Sequence, residues 1–378
     1  MQTSKLRNRI ITAIAFVLCV AIVSLFIVTM VTVDNDAGKV KLYKNAQIIV
    51  SDNVSPTPST TADTTAKVEK SVVSIKTTLS GGISSGSGVI IGKNFNSSNE
   101  LTGYFIITNH HVIENGTSFV VTDINGNNYN GTLVGGDKLT DIAVLKIDTL
   151  SDLTVSEIGN SQTLRRGEEV IVVGNMLGVY QGSVSMGVIS NLSSKVTFAD
   201  GSVRNLIQTD AAVNGGNSGG GMFNMLGQLV GIVNAKTSSS SVDNIGFAIP
   251  VAEGIEVAQK LISTATKENP YGYVEGRTTL GFDVNVYTHI FYGNFMMVQS
   301  SSISTVSVND YLLKVTYGDK TLNFSNGDVS SQDLIDFNEL VNSLTIGDSV
   351  TLELSSDGQT TKSVTIKAIQ YKYTPPKG

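Results

Sequence analysis

The sequence predicts a mainly β protein: two antiparallel β-barrels, then a small α+β unit, with one N-terminal membrane-spanning helix ahead of them. Three observations carry this. Residues 67–265 run as short apolar, β-rich stretches separated by Gly, Asn and Asp turns, the pattern of antiparallel barrels. The last hundred residues hold one helical stripe and one alternating hairpin. Residues Ile10 to Val33 form a run without a charge, longer than the about 20 residues a helix needs to cross a bilayer.

The elements follow in order. Residues 1–9 carry Lys5, Arg7 and Arg9 and form a basic head; residues 10–33 are the anchor. A cleaved signal peptide is the competing reading, but its apolar region would be only about 7–15 residues, and Val31-Thr32-Val33-Asp34 makes a poor cleavage site. Lys39, Lys41 and Lys44 follow the span closely, so the charge rule is nearly tied. A basic head inside, with the rest of the chain outside, is the simpler topology. Residues 34–66 include Val54-Ser55-Pro56-Thr57-Pro58-Ser59-Thr60-Thr61 and read as an extended spacer. Within residues 67–265, Asn125-Gly126 and Asp200-Gly201 signal hairpins. Val251, Ile255, Ala258 and Ile262 recur at helical spacing after Pro250, closing this domain with an amphipathic helix. In residues 270–373, Ser330-Ser331-Gln332-Asp333 resembles a helix-start box, and Leu334, Phe337, Val341 and Leu344 form a stripe. Val350, Leu352 and Leu354 alternate, Asp357-Gly358 turns, and Val364, Ile366 and Ala368 alternate back.

Composition excludes several classes. At 378 residues, two or three domains are expected. The net charge of -6 argues against nucleic acid as a partner. Cys19, the one cysteine, lies in the apolar run, so no disulfide can form within this sequence. Three histidines, His110, His111 and His289, give no zinc ligand set. No metal or cofactor is expected.

The chemistry is concentrated in three segments. Asn214-Gly215-Gly216-Asn217-Ser218-Gly219-Gly220-Gly221 sets a serine among glycines, whose freedom lets the backbone turn tightly. Such a turn, running through Gly216, Asn217 and Ser218, can aim the N–H groups of Gly216 and Ser218 toward one point, where an oxyanion would form as the Ser218 hydroxyl attacks a carbonyl. Phe105 to Ile113 is an apolar run delivering histidine at its end, and Asp141 to Ile147 is a buried strand opened by aspartate. Serine is inert near neutral pH without a base. Imidazole, with an unperturbed pKa of about 6.5, suits that task, and an aspartate would fix its tautomer. The order His, Asp, Ser is that of the chymotrypsin-type triad. Singly, each residue reads equally well as a turn serine, a strand-end histidine or a strand cap.

Together the segments resemble the HtrA/Deg family of trypsin-like serine proteases. The resemblance rests on Thr108-Asn109-His110-His111-Val112, Asp141-Ile142-Ala143-Val144-Leu145 and Thr209-Asp210-Ala211-Ala212-Val213-Asn214 with Gly216-Asn217-Ser218-Gly219-Gly220. It is reinforced by Gly86-Ser87-Gly88-Val89-Ile90-Ile91, Val173-Gly174-Asn175, Leu177-Gly178 and Ile245 to Pro250. The matching segments span residues 67–265. The resemblance implies two barrels of chymotrypsin type, a triad of His111, Asp141 and Ser218, and a homotrimer through the protease domain. The family's catalytic histidine follows Thr-Asn-X, which selects His111 over His110. By alignment Val213, Lys236 and Thr237 contribute to the substrate pocket; none is acidic, so a small or medium apolar residue before the scissile bond is expected. Thr279-Leu280-Gly281-Phe282 resembles the carboxylate loop of a PDZ domain, implying peptide capture through Leu280, Gly281 and Phe282. The usual Ser-Pro-Ala…Ala-Gly-Leu segment is missing; Met297 to Asp310 stands in its place with Asn309-Asp310 at the turn. A small α+β unit that only packs on the protease is the alternative.

The nucleophile loop is also more glycine-rich than the family's: Gly215 and Gly221 stand where larger residues are common, and Met176 replaces a proline. Either the oxyanion site is not fully formed at rest or neighbours hold it. The resulting expectation is a membrane-anchored, extracytoplasmic endopeptidase acting on unfolded or misfolded proteins and peptides. The alternatives are a proteolytically weak peptide sensor or chaperone, and a structural surface protein without a reactive serine.

Overall fold

The computed structural model describes residues 41–43, 46–48, 60–176, 180–234, 245–290 and 292–376. The expected anchor, 10–33, lies outside these; among the described residues no helix is long and apolar enough to cross a membrane. Within the expected spacer, short strands at Lys41–Tyr43 and Ala46–Ile48 pair with each other, and the second pairs onto a barrel strand through Ala46 and Asn94. Helix α1 (Thr61–Val68) starts ahead of the boundary at Lys67 because the Thr60 hydroxyl accepts the Asp63 N–H at 3.1 Å. Buried Thr64 and Val68 fix its inner face. Composition read these residues as spacer; a cap and two buried side chains suffice to wind them.

The first barrel is built from β1 (Val72–Leu79), β2 (Gly82–Phe95), β3 (Leu101–Thr108), β4 (Ser118–Thr122), β5 (Asn128–Asp137) and β6 (Ile142–Asp148). Helix α2 (His110–Ile113) follows β3. The strands pair antiparallel in the order 1-2-3-6-5-4 and close through β4 and β1. The second barrel repeats that order with β7 (Glu169–Met176), β8 (Tyr180–Thr197), β9 (Val203–Thr209), β10 (Gly221–Asn224), β11 (Gln228–Val233) and β12 (Gly246–Pro250). Closure removes free strand edges. Both predicted hairpin glycines, Gly126 and Gly201, adopt positive φ.

Residues 103–108 are buried on both faces, which explains their apolar run: one face packs inside the first barrel, the other against elements outside it. Tyr104, Ile106, Val121, Leu133 and Leu145 join one cluster. Alternate residues Phe105, Ile107 and Val144 join a second, with Ile171 and Phe223 of the other barrel and with helix α3 (Val251–Thr264). The predicted α3 stripe, Val251, Ile255, Ala258 and Ile262, is buried there.

The C-terminal unit has its own core, including Leu280, Phe282, Leu312, Phe337 and Leu352. Its strands β13 (Phe282–His289), β14 (Gly293–Ser301), β15 (Tyr311–Tyr317), β16 (Lys320–Asn323), β17 (Ser349–Ser355) and β18 (Lys362–Lys367) form a sheet ordered 13-14-15-17-18, with β16 on β15. The predicted terminal hairpin pairs Val350 with Ile366 and Leu352 with Val364. Helix α4 (Ser331–Ser343) has the predicted box: Ser330 accepts from the Asp333 N–H, and Asp333 accepts from the Ser330 N–H at 2.8 Å. Leu334, Phe337 and Leu344 are buried; Leu340 takes a deeper place than Val341, which is half-buried. Ser330→Ala should remove one side of this box and cost about 1 kcal/mol. The expected result is faster hydrogen exchange at the start of α4 with the barrels unaffected.

Candidate active site

The site begins at a backbone irregularity. Asp141 has φ +60°, a left-handed conformation that aspartate tolerates better than most residues. Its carbonyl accepts the His110 N–H at 3.0 Å and an Asn109 amide N–H at 3.1 Å. Its carboxylate accepts the His111 N–H at 2.9 Å, lies 2.7 Å from His111 Nδ1, and accepts from Asn234 Nδ2 at 2.9 Å. Burial by itself would push this carboxyl up; the His111 hydrogen bond and charge, then the charge of Arg204, outweigh it and hold it below the usual range. Asp141 is therefore ionised at neutral pH and can only accept. Nδ1 must carry the proton, which leaves Nε2 as the basic face of His111.

The loop before Asp141 is anchored from outside. Asp137 accepts from the Thr140 N–H and hydroxyl at 3.2 and 2.6 Å and from Arg277 at 3.4 Å. Arg204, stacked 4.2 Å over the Phe198 ring, donates to the Leu139 and Lys138 carbonyls at 2.7 and 2.8 Å.

Ser218, buried at 6% exposure, comes from the loop between β9 and β10 of the second barrel. Its carbonyl accepts the Ser87 N–H of β2 at 2.8 Å. Gly86 brings it near the histidine segment: a β-carbon there would lie 2.7 Å from the Val112 methyls and 3.2 Å from the Ser218 carbonyl. Gly216 has φ +96°, and the Asn214 carbonyl accepts the Asn217 N–H at 3.0 Å. Those are features of a type II turn, whose third residue favours glycine. Gly219, at φ +83°, passes so close to the Ser87 carbonyl and Thr108 hydroxyl that a β-carbon cannot fit. Gly215 has open space around it. The neighbours hold this loop: Ser87 Oγ donates to the Gly216 carbonyl at 2.7 Å, and Gly219 N–H to the Val233 carbonyl at 2.9 Å.

Of the other expected site residues, Val213 is half-buried against the second-barrel core, while Lys236 and Thr237 lie outside the described residues. Leu280 and Phe282 are buried core residues. Gly281 has φ +79°, but its N–H already donates to Thr279 Oγ1 at 3.0 Å, and its carbonyl accepts from Ser302. His110 is buried against the Tyr373 ring, a packing residue. Sequence reasoning missed Ser87 and Asn234 as contributors. The one signal for Asn234 was a polar residue ending the otherwise apolar strand Val230 to Val233.

Fold and site define a trypsin-like peptidase domain, and the profile of that domain matches residues 86–232. The Serine protease Do-like HtrB of Bacillus subtilis (strain 168) is 41% identical over 171 residues, 44% of this chain and 37% of that protein. The Serine protease Do-like HtrA of Lactobacillus helveticus is 31% identical over 291 residues, 73% of this chain and 66% of that protein. A crystal structure of the serine endoprotease from Yersinia pestis, 28% identical, covers 84% of this chain and 100% of its own at a TM-score of 0.49. The chain belongs to the HtrA/Deg family of trypsin-like serine proteases. Its matches span 37% and 66% of the length of those two curated relatives.

Ser87→Ala should free the Gly216 carbonyl. Loss of one hydrogen bond, about 1–1.5 kcal/mol, should lower kcat about tenfold with KM little changed. Gly215→Pro suits the second position of a type II turn and should restore turnover in the Ser87→Ala protein. A comparable gain from Gly215→Pro alone would mean the loop is not fully formed at rest.

Proposed function

We propose that this chain is a membrane-anchored, extracytoplasmic serine endopeptidase that cleaves unfolded or misfolded proteins through His111, Asp141 and Ser218. The observation that carries the proposal is the ionised, buried Asp141 carboxylate on His111 Nδ1, with Ser218 presented at the seam between barrels. In this reading His111 Nε2 takes the Ser218 proton as Oγ attacks the scissile carbonyl. Asp141 offsets the imidazolium charge that forms. Backbone N–H groups of Gly216 and Ser218, adjoining Asn217, receive the oxyanion. His111 then returns the proton to the leaving amine, and water repeats the sequence on the acyl-enzyme. Val213, Lys236 and Thr237 form the pocket and favour a small or medium apolar residue. The uncharged run Ile10 to Val33 supports the anchor, and the basic residues before it support an outward-facing protease domain. The homotrimer belongs to the same proposal.

A fluorophosphonate probe should label the protein at Ser218 and not label Ser218→Ala. Ser218→Ala and His111→Ala should each lose about 10⁶ in turnover, and Asp141→Asn about 10⁴ by releasing the tautomer, with folding retained. Absence of labelling in the unaltered protein would favour the peptide-binding sensor.

The C-terminal unit supports a PDZ-like reading at the level of layout. Strand β13 is the last strand on its side of the sheet, and α4 lies alongside, with Phe282 and Phe337 rings 6.1 Å apart. A peptide strand could add along β13. Carboxylate capture at Leu280-Gly281-Phe282 first requires the Gly281 N–H to leave Thr279 Oγ1. Thr279→Val should therefore tighten binding of free-acid C-terminal peptides in calorimetry and leave amidated controls unbound. Equal binding of both forms would exclude carboxylate capture.

A further inference from the structure

The histidine helix α2 has only four residues, too short to hold itself. Its far end is held by the other end of the chain. Beyond β18, Ile369–Gln370 pairs with Thr278–Thr279, and the Tyr371 N–H donates to the Arg277 carbonyl at 2.8 Å. Gln370 donates to the Val274 carbonyl at 2.9 Å, and Lys372 sits 4.3 Å over the Tyr273 ring. These contacts root a strap that runs back over the first barrel. Tyr373 on that strap meets the His110 ring edge-on, with centroids 4.6 Å apart at 81°. Its hydroxyl accepts the Asn115 N–H at 3.0 Å and lies 3.4 Å from the Ile113 carbonyl. Ile113 ends α2, and Asn115 leaves it at φ +59°. The phenol thus caps the C-terminal end of α2, where backbone groups lack helical partners. A β-carbon at Gly136 would lie 2.9 Å from the His110 ring, so that ring is wedged between β5 and Tyr373.

We infer that Tyr373 is a positioning residue for His111. It holds α2 from the side opposite Asp141, so the active site is complete only with the C-terminal strap in place. The inference rests on the proposed role of His111 as base, because its consequence is catalytic. A shift of about 1 Å in a catalytic group can cost about 10²-fold. Substrate contacts lie elsewhere, so the loss should fall on kcat and on the rate of Ser218 acylation, not on KM.

The test uses the full-length protein and its Tyr373→Ala and Tyr373→Phe variants. Four quantities are read: steady-state cleavage of a peptide substrate, the rate of Ser218 phosphonylation by a fluorophosphonate, the melting temperature, and hydrogen exchange across residues 109–116. Tyr373→Ala should lower kcat and the phosphonylation rate about tenfold to hundredfold, keep KM within about twofold, and speed exchange at Asn115 while the melting temperature holds. Tyr373→Phe keeps the ring on His110 and should regain most of the kcat, while Asn115 still exchanges faster. Unchanged kcat in Tyr373→Ala would overturn the inference, and so would a loss that tracks KM or melting temperature. If the unaltered protein neither cleaves nor labels, the proposed function fails, and exchange alone decides the strap. Faster exchange at Asn115 in Tyr373→Ala would then support it, and unchanged exchange would overturn it.

Discussion

The buried carboxylate of Asp141 is the constraint on which the site depends. An ionised carboxylate with 3% of its residue exposed is tolerable only if its acceptor capacity is met. Removing one partner from a buried charge typically costs about 3–5 kcal/mol. Its donors come from two places: His111 from α2 of the first barrel, and Asn234 from the end of β11 in the second. Meeting both fixes how the barrels dock, and that docking sets Ser218 beside Ser87. The same interaction makes the fold acid-sensitive. Because the folded carboxyl is held below its ordinary value of 3.8, its stabilisation is fully present above that value. It is lost as pH falls through the lowered one.

The barrel seam then explains the glycine-rich loop. Counted from sequence, five glycines around Ser218 suggest a backbone with nothing to hold it. In the fold, close approach demands Gly219, and the turn demands positive φ at Gly216. The entropy cost of ordering such a loop is offset by contacts from outside it: Ser87 Oγ, the Ser87 N–H and the Val233 carbonyl. Gly215, by contrast, has no neighbour that would exclude a side chain.

What was legible in the sequence followed from local pattern. Buried strands, the α3 and α4 stripes, the Ser330–Asp333 box and the terminal hairpin are short-range periodicities, and the structure contains each. His111, Asp141 and Ser218 stood out as candidates because motif context, not any single residue, distinguishes them. Asn234, Ser87 and Tyr373 were not legible. Their partners lie 93, 129 and 258 residues away, and no local pattern encodes such a contact. The start of α1 failed for a different reason: a Thr- and Ala-rich stretch after two prolines reads as spacer until burial of Thr64 and Val68 is known. At Gly281 the motif was legible but its state was not, since only the fold reveals that Thr279 already occupies the N–H.

These long-range contacts place the C-terminal unit on both sides of the His111–Asp141 pair. On one side Tyr373 reaches α2. On the other, Arg277 and Lys138–Asp283 reach the loop that ends at Asp141. The contacts are unequal. The Lys138–Asp283 pair is well exposed, and pairs of that kind are worth about 0–1 kcal/mol. Asp137 is almost fully buried, so its contact with Arg277 carries more. Asn338 adds a bond to the Asp200 carbonyl at 2.8 Å, and the Gly272 N–H donates to the Val134 carbonyl at 2.6 Å. The attachment is thus spread over the root of the unit, its tail and α4. The exposed Lys138–Asp283 pair can open at small cost, while buried Asp137 keeps Arg277 tied to the loop that ends at Asp141.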